Sequence, residues 1–216
     1  ITSTAGPDGT IEPTGTVLVA YGGSTNFVIT PNVLYHITNL VVDGSPVTIT
    51  NDYAFSNVTN AHTIEVYFGM DEYTLTVNTP FGGAVPAGVT TNNVGTPMDV
   101  YVTGTPYTDG TTQYVCTGWT GTGDVIPGSG TNYSFILAQD STVDWQWETN
   151  FMLNTGVSGA GSVDVTSGWQ IAGANPIIMA TGSNGWHFAG WTGDVPPANT
   201  NDNPLSLTMD QARSIT

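Results

Sequence analysis

Four kinds of residue in this chain have chemistry to offer. Cys116, the lone cysteine, sits in Tyr114-Val-Cys-Thr-Gly-Trp-Thr-Gly121 and would be a nucleophile if something held it as a thiolate. His36, His62 and His187 are the histidines, and so the ordinary acid–base groups near neutral pH. The carboxylates come next. A pair flanking a cleft would suggest glycoside hydrolysis, but the acids here are scattered over turn-like and loop-like stretches. Asp194 with Asp202, and Asp124 in the corresponding loop of an earlier segment, offer oxygens for a structural Ca²⁺. They lie beside the oxygen-rich run Asn199-Thr-Asn-Asp-Asn203, which lacks the spacing of a known calcium loop, so solvated loop acids are the plainer reading. Last are six tryptophans and nine tyrosines, enough to stack on sugar rings. Trp169 follows Ser167-Gly168 in a loop-like stretch and is the candidate exposed ring for a glycan ligand.

Internal repetition weighs against the catalytic readings. The segment 114–121 returns 72 residues later as Trp186-His-Phe-Ala-Gly-Trp-Thr-Gly193, and a weaker echo, Tyr35-His-Ile-Thr-Asn-Leu-Val-Val-Asp-Gly44, precedes it. Self-similarity at such a spacing marks a tandem array. The expected modules are 1–70, 71–150 and 151–216, the last lacking its final strand. Superposing the three copies aligns Tyr35, Tyr114 and Trp186, then Ile37, Cys116 and Phe188, then Leu40, Trp119 and Trp191. Apolar exchange of this kind is how core positions behave. Cys116 therefore reads as a buried, inert thiol. His36 and His187 share their position with Val115 and read as strand histidines, and His62 reads as a turn residue. No catalytic residue is assigned. Gly118 and Gly190, each just before the tryptophan, suggest a bulge or close packing beneath a large ring.

The elements that must carry these positions are strands. Tyr73, Leu75 and Val77 alternate with polar residues, as do Val143, Trp145 and Trp147, and Leu205, Leu207 and Met209. No window shows the apolar spacing of an amphipathic helix. Asp8-Gly9, Asp43-Gly44, Asp109-Gly110 and Asn184-Gly185 are turn pairs suited to positive φ. Two of them precede Tyr114 and Trp186, so the signature segment is expected to be a strand following a tight turn. The expected fold is all-β: three small tandem domains, sandwich-like or β-grasp-like without a long helix, in an elongated array. By comparison between copies, the chain opens within a strand on Ile1-Thr-Ser-Thr and stops within a unit on Arg213-Ser-Ile-Thr216.

Charge narrows the partners. Only 8% of residues are charged, 17 acidic against the single basic Arg213, for a net charge of −16. Nucleic acid and anionic membrane surfaces both require cationic side chains, so neither is a partner. Without lysine there are no Lys–Asn isopeptide cross-links. No apolar run approaches the ~18 residues of a membrane span. The abundance of uncharged polar residues fits an extracellular protein, and with one cysteine there is no intrachain disulfide. Asn57-Val-Thr59 and Asn132-Tyr-Ser134 are glycosylation sequons.

The order Ile1-Thr-Ser-Thr-Ala-Gly-Pro-Asp-Gly-Thr-Ile-Glu-Pro-Thr-Gly15, Tyr21-Gly-Gly-Ser24, Tyr35-His36, Val42-Asp-Gly44 and Phe55-Ser-Asn-Val-Thr-Asn-Ala-His-Thr-Ile64 resembles the divergent form of the internalin-type B-repeat. The two later copies, with Gly-Trp-Thr-Gly and the closing Leu205-Ser-Leu-Thr-Met-Asp-Gln-Ala-Arg-Ser-Ile215, are similar to other members of the same bacterial repeat superfamily. The resemblance implies a segment of a secreted or cell-surface bacterial protein and brings no catalytic motif. It implies a stalk or spacer, or a filament building block joined head to tail through β-strands, whose partners are neighbouring repeats or copies of itself. A carbohydrate-binding or adhesin module using exposed aromatics is the alternative.

Overall fold

A computed structural model describes every residue from Ile1 to Thr216. The chain is all-β, and its sole helical element is the short 3-10 turn Pro197–Asn199. It divides into two compact units. The first comprises residues 1–74 with 91–96 and 137–139, and the second comprises 75–90, 97–136 and 140–216.

The first unit is a sandwich. One sheet runs Gly15–Thr16, Thr2–Ala5, Thr63–Met70, Tyr35–Val42, Ser45–Val47, and the other holds Gly9–Glu12, Gly23–Pro31 and Asp52–Val58. Alternation in the sequence sets which residues face inward: Phe27 and Ile29 are fully buried while Val28 between them is 50% exposed. They join Ile11 and Phe55 from their own sheet and Ile37, Leu40, Ile64 and Val66 from the other in one apolar core. Each such side chain contributes roughly 1.5–3 kcal/mol by leaving water. The turn pairs behave as expected. Asp8 (φ 73°), Asp43 (φ 50°) and Gly44 (φ 74°) all take the left-handed backbone that closes tight turns. The segment 91–96 joins this unit through the backbone, Val94 N–H donating to Asp71 O at 2.8 Å, and is tied to 137–139 by Gly95 N–H donating to Leu137 O at 2.7 Å.

The second unit is organised by one strand of 15 residues, Ser141–Thr155. Its first half pairs antiparallel with Thr112–Thr122, placing Trp119 opposite Trp145 and Cys116 opposite Trp147, and parallel with Leu75–Asn78. Its second half pairs antiparallel with Gly168–Ile171 and parallel with Arg213–Ile215. Leu153, Ile178, Trp191, Leu205, Leu207, Met209 and Ile215 form the core around that second half. One parallel arrangement thus occurs three times: Thr2–Ala5 with Thr63–Val66, Leu75–Asn78 with Ser141–Asp144, and Leu153–Thr155 with Arg213–Ile215.

The expected bulge is present. Between Cys116 and Gly118 the ladder to Ser141–Thr155 slips by one residue, and Gly118 has φ 155°. A Cβ on Gly118 would lie 2.1 Å from Gly128 O, a contact backbone cannot yield. At Gly190 (φ 146°) the nearest atom would be 3.3 Å away. Gly118→Ala is therefore expected to lower the denaturation midpoint clearly more than Gly190→Ala, a difference parallel urea melts would measure; equal effects would contradict this account of the bulge.

One expectation is corrected. The signature segment is a strand at Tyr35–Val42 and within Thr112–Thr122, but Trp186–Trp191 is irregular. Only its end keeps the shared register: Thr192 and Thr216 exchange main-chain hydrogen bonds and Gly193 bridges Ile215, just as Thr120 faces Asp144 and Gly121 faces Val143, while residues 187–190 make no main-chain hydrogen bond to another strand.

Candidate functional site

Cys116 is buried, as its alignment with Ile37 predicts. Its amide donates to Thr105 Oγ1 at 2.9 Å, and its sulfur faces the carbonyls of Gly130 and Gly118 at 3.6 and 3.7 Å. Burial pushes the thiol's pKa up, away from the thiolate a nucleophile needs.

Two histidines have carboxylate partners far away in sequence. His36 Nδ1 lies 3.0 Å from Asp71 Oδ1 and His62 Nδ1 lies 2.7 Å from Asp43 Oδ2. Nearest-neighbour reading missed both, because strand pairing makes them. Asp43 also accepts the Thr63 amide at 2.8 Å, so it ties the Asp43-Gly44 turn to the start of Thr63–Met70. The His62 hydrogen bond, followed by the Thr63 amide, holds the Asp43 carboxyl below its ordinary value of 3.8. A carboxylate lowered on folding stabilises the fold above its unfolded pKa, and this contribution is lost as pH falls through the lower folded value. An NMR pH titration should place the Asp43 midpoint below 3.8, and His62→Ala should move it upward. An unmoved midpoint would refute the pairing.

The carboxylates of Asp194 and Asp202 have other occupations. Asp194 Oδ2 accepts the Ser214 amide at 2.8 Å, and Asp202 Oδ2 accepts Asn199 Nδ2 at 2.7 Å. The Asp124 amide donates to Ser141 Oγ at 3.0 Å. Asp124, Asp194 and Asp202 do not converge, and no group of three His, Cys, Asp or Glu side chains has a metal-holding arrangement.

The tryptophans part company. Trp119 and Trp191 are buried plugs, as expected. Trp145 is buried, while Trp147 is half-buried with its indole N–H donating to Thr79 Oγ1 at 3.1 Å. Trp169 is not the exposed ring. It is half-buried in Gly168–Ile171, opposite Met152, because that segment is a strand rather than a loop. The exposed ring is Trp186, at 60%, although its alignment with Tyr35 and Tyr114 had made it a core position. The signal available in the sequence was Asn184-Gly185, which puts Trp186 at the exit of an exposed turn.

Trp186 lies against Gly159, where a Cβ would be only 3.0 Å from the ring, and forms one wall of a cleft of about 330 Å³. Val157, Ser162, Thr181, Phe188 and Trp191 line the remainder, and no Asp or Glu reaches it. The cleft offers ring faces, hydroxyls and free backbone groups, a set suited to binding by packing and hydrogen bonds. Its titratable side chain is His187. A second aromatic group, Phe81, Tyr107 and Tyr114, stacks with Phe81–Tyr114 centroids 3.7 Å apart, and Tyr107 is exposed.

No curated protein matches the chain, and no solved structure matches it. No helix is long and apolar enough to cross a membrane. Residues 151–216 match the family model of the divergent InlB B-repeat domain.

Proposed function

We propose that the chain is a non-enzymatic structural segment of an extracellular bacterial protein, built from modules 1–70, 71–150 and 151–216. It serves as a stalk or spacer, or as a filament building block through head-to-tail β-strand contacts. The observation that carries this reading is the strand Ser141–Thr155. It closes one group of strands with its first half and opens the next with its second, so no linker intervenes. Modules joined in this way transmit load through the backbone hydrogen bonds of a common sheet. The divergent B-repeat match over residues 151–216 and the lysine-free, acidic composition support the surface location. Electron microscopy of the native material tests the reading: rods or filaments are expected, and isolated particles without contacts would overturn the filament form.

A second reading rests on the Trp186 cleft. An exposed indole beside the hydroxyls of Ser162 and Thr181 is the form of a sugar platform. If the module is an adhesin, a glycan array gives a ligand whose binding is lost in Trp186→Ala and kept in Trp169→Ala. An array without a reproducible ligand would remove this alternative.

A further inference from the structure

Asn184-Gly185 is the one Asn-Gly pair in the chain, and every other asparagine is followed by a residue with a side chain. Both residues are exposed. Trp186 N–H donates to Ser183 O at 2.8 Å, which closes a tight turn around the pair. Gly185 stands at the third position of that turn with φ 81°, while Asn184 lies outside the left-handed region, the arrangement of a type II turn. In such a turn the N–H of the central peptide takes no part in the closing hydrogen bond, and Gly185 N–H donates to no main-chain carbonyl elsewhere. The Gly185 nitrogen is therefore open to water and to the Asn184 side chain next to it. This exposure is independent of what pairs with residues 186–191. The aligned turn Asp109-Gly110 is equally exposed, although the strand that follows it, Thr112–Thr122, is paired with Ser141–Thr155.

We propose that Asn184 is a self-modifying site, converted by water to aspartate and isoaspartate without an enzyme. The Gly185 amide nitrogen attacks Cγ of Asn184, and glycine has no side chain to obstruct the approach. A new N–Cγ bond closes a cyclic imide. The bond from Cγ to the side-chain nitrogen breaks, and that nitrogen takes the Gly185 amide proton and leaves as ammonia. Water, the co-reactant, then adds to one of the two imide carbonyls. Addition at Cγ breaks the new bond and leaves aspartate. Addition at the main-chain carbonyl breaks the original peptide bond and leaves isoaspartate, linked to Gly185 through Cγ. The sum is hydrolysis of one amide, and nothing is oxidised or reduced. Either product adds one negative charge to a chain already at −16. The aspartate form has the Asp-Gly sequence that residues 109–110 carry in the preceding copy. The isoaspartate form places an extra methylene in the main chain within the turn, and so breaks the hydrogen bond from Trp186 N–H to Ser183 O.

The test incubates the 216-residue chain, folded, at mildly alkaline pH and follows the amide-to-acid mass change residue by residue with tandem mass spectrometry. Asn184 is expected to convert at least about tenfold faster than any other asparagine, and within about threefold of a free peptide with the sequence of residues 180–188, because the fold leaves the Gly185 nitrogen open. Asn184→Gln, which lengthens the side chain by one methylene, should abolish the conversion at this turn. Conversion about tenfold or more slower in the folded chain than in the peptide would overturn the proposal, as would faster conversion at another asparagine. The two products separate the structural consequence. Trp186 amide exchange should be about tenfold faster in the isoaspartate form than in Asn184→Asp, which keeps the turn. Equal exchange in the two would show that the turn survives the inserted methylene and would overturn that part of the proposal.

Discussion

Trp119→Ala and Trp191→Ala are each expected to destabilise the second unit by about 3–5 kcal/mol, the cost of emptying a large buried aromatic site. Each ring combines two tasks. The side chains are buried, with Trp119 8% and Trp191 4% exposed. Each indole N–H also pins the following loop, Trp119 to Ile126 O at 2.9 Å and Trp191 to Asp202 O at 2.7 Å. Trp119 is further held edge-on to Trp145, 5.6 Å between centroids, with Gly128 directly beneath it. Phenylalanine keeps most of the apolar contact and removes only the N–H, so Trp119→Phe should cost about 1–2 kcal/mol. The first unit explains why the pair comes together. Leu40 replaces the tryptophan there, and the strand passes straight into the Asp43-Gly44 turn, with no loop to pin. Urea denaturation of the three variants measures this. A loss below about 1 kcal/mol for either alanine variant would remove the plug from the account.

Arg213→Gln should be the next largest loss, about 2–4 kcal/mol from charge-assisted hydrogen bonds in a shielded place. Arg213 is the chain's one cationic side chain apart from histidine, and only 10% of it is exposed. Its guanidinium donates to Thr208 O and Asp194 O, both at 2.9 Å, and to Asp210 Oδ1 at 2.6 Å. It gathers two loops onto the strand Arg213–Ile215, which in turn pairs with Leu153–Thr155. Removing it leaves two carbonyls to find water and one carboxylate unpaired. Native-state trypsin digestion gives an independent readout. Cleavage after Arg213 requires that strand to detach, so the native chain should resist trypsin and digestion should track unfolding. Rapid cleavage under native conditions would show the clamp to be open.

The strands, the tight turns and the tryptophan plugs were legible because they depend on alternation and local turn chemistry. Cys116 was legible as a buried thiol because Ile37 occupies the same place in the first unit. Pairing was much less legible. His36 and Asp71, and His62 and Asp43, meet only because antiparallel strands bring them level. Trp169 was misjudged because Ser167-Gly168 reads as a loop, while the strand it opens is specified by Met152 and Phe151 across the ladder. Trp186 was misjudged for the opposite reason. A strand-like sequence needs a partner strand to become a strand, and no strand is paired with residues 186–191.

The common strand Ser141–Thr155 also bears on how the chain melts. When modules are tethered by flexible linkers, each unfolds at its own midpoint. Here the backbone that completes the sheet around Trp119 and Trp145 is continuous with the backbone that starts the core around Leu153, so the two groups of strands share one strand rather than a contact patch. If the groups of strands on either side of it are repeats of a one-dimensional array, nearest-neighbour coupling through this strand predicts that they unfold together in a single urea transition.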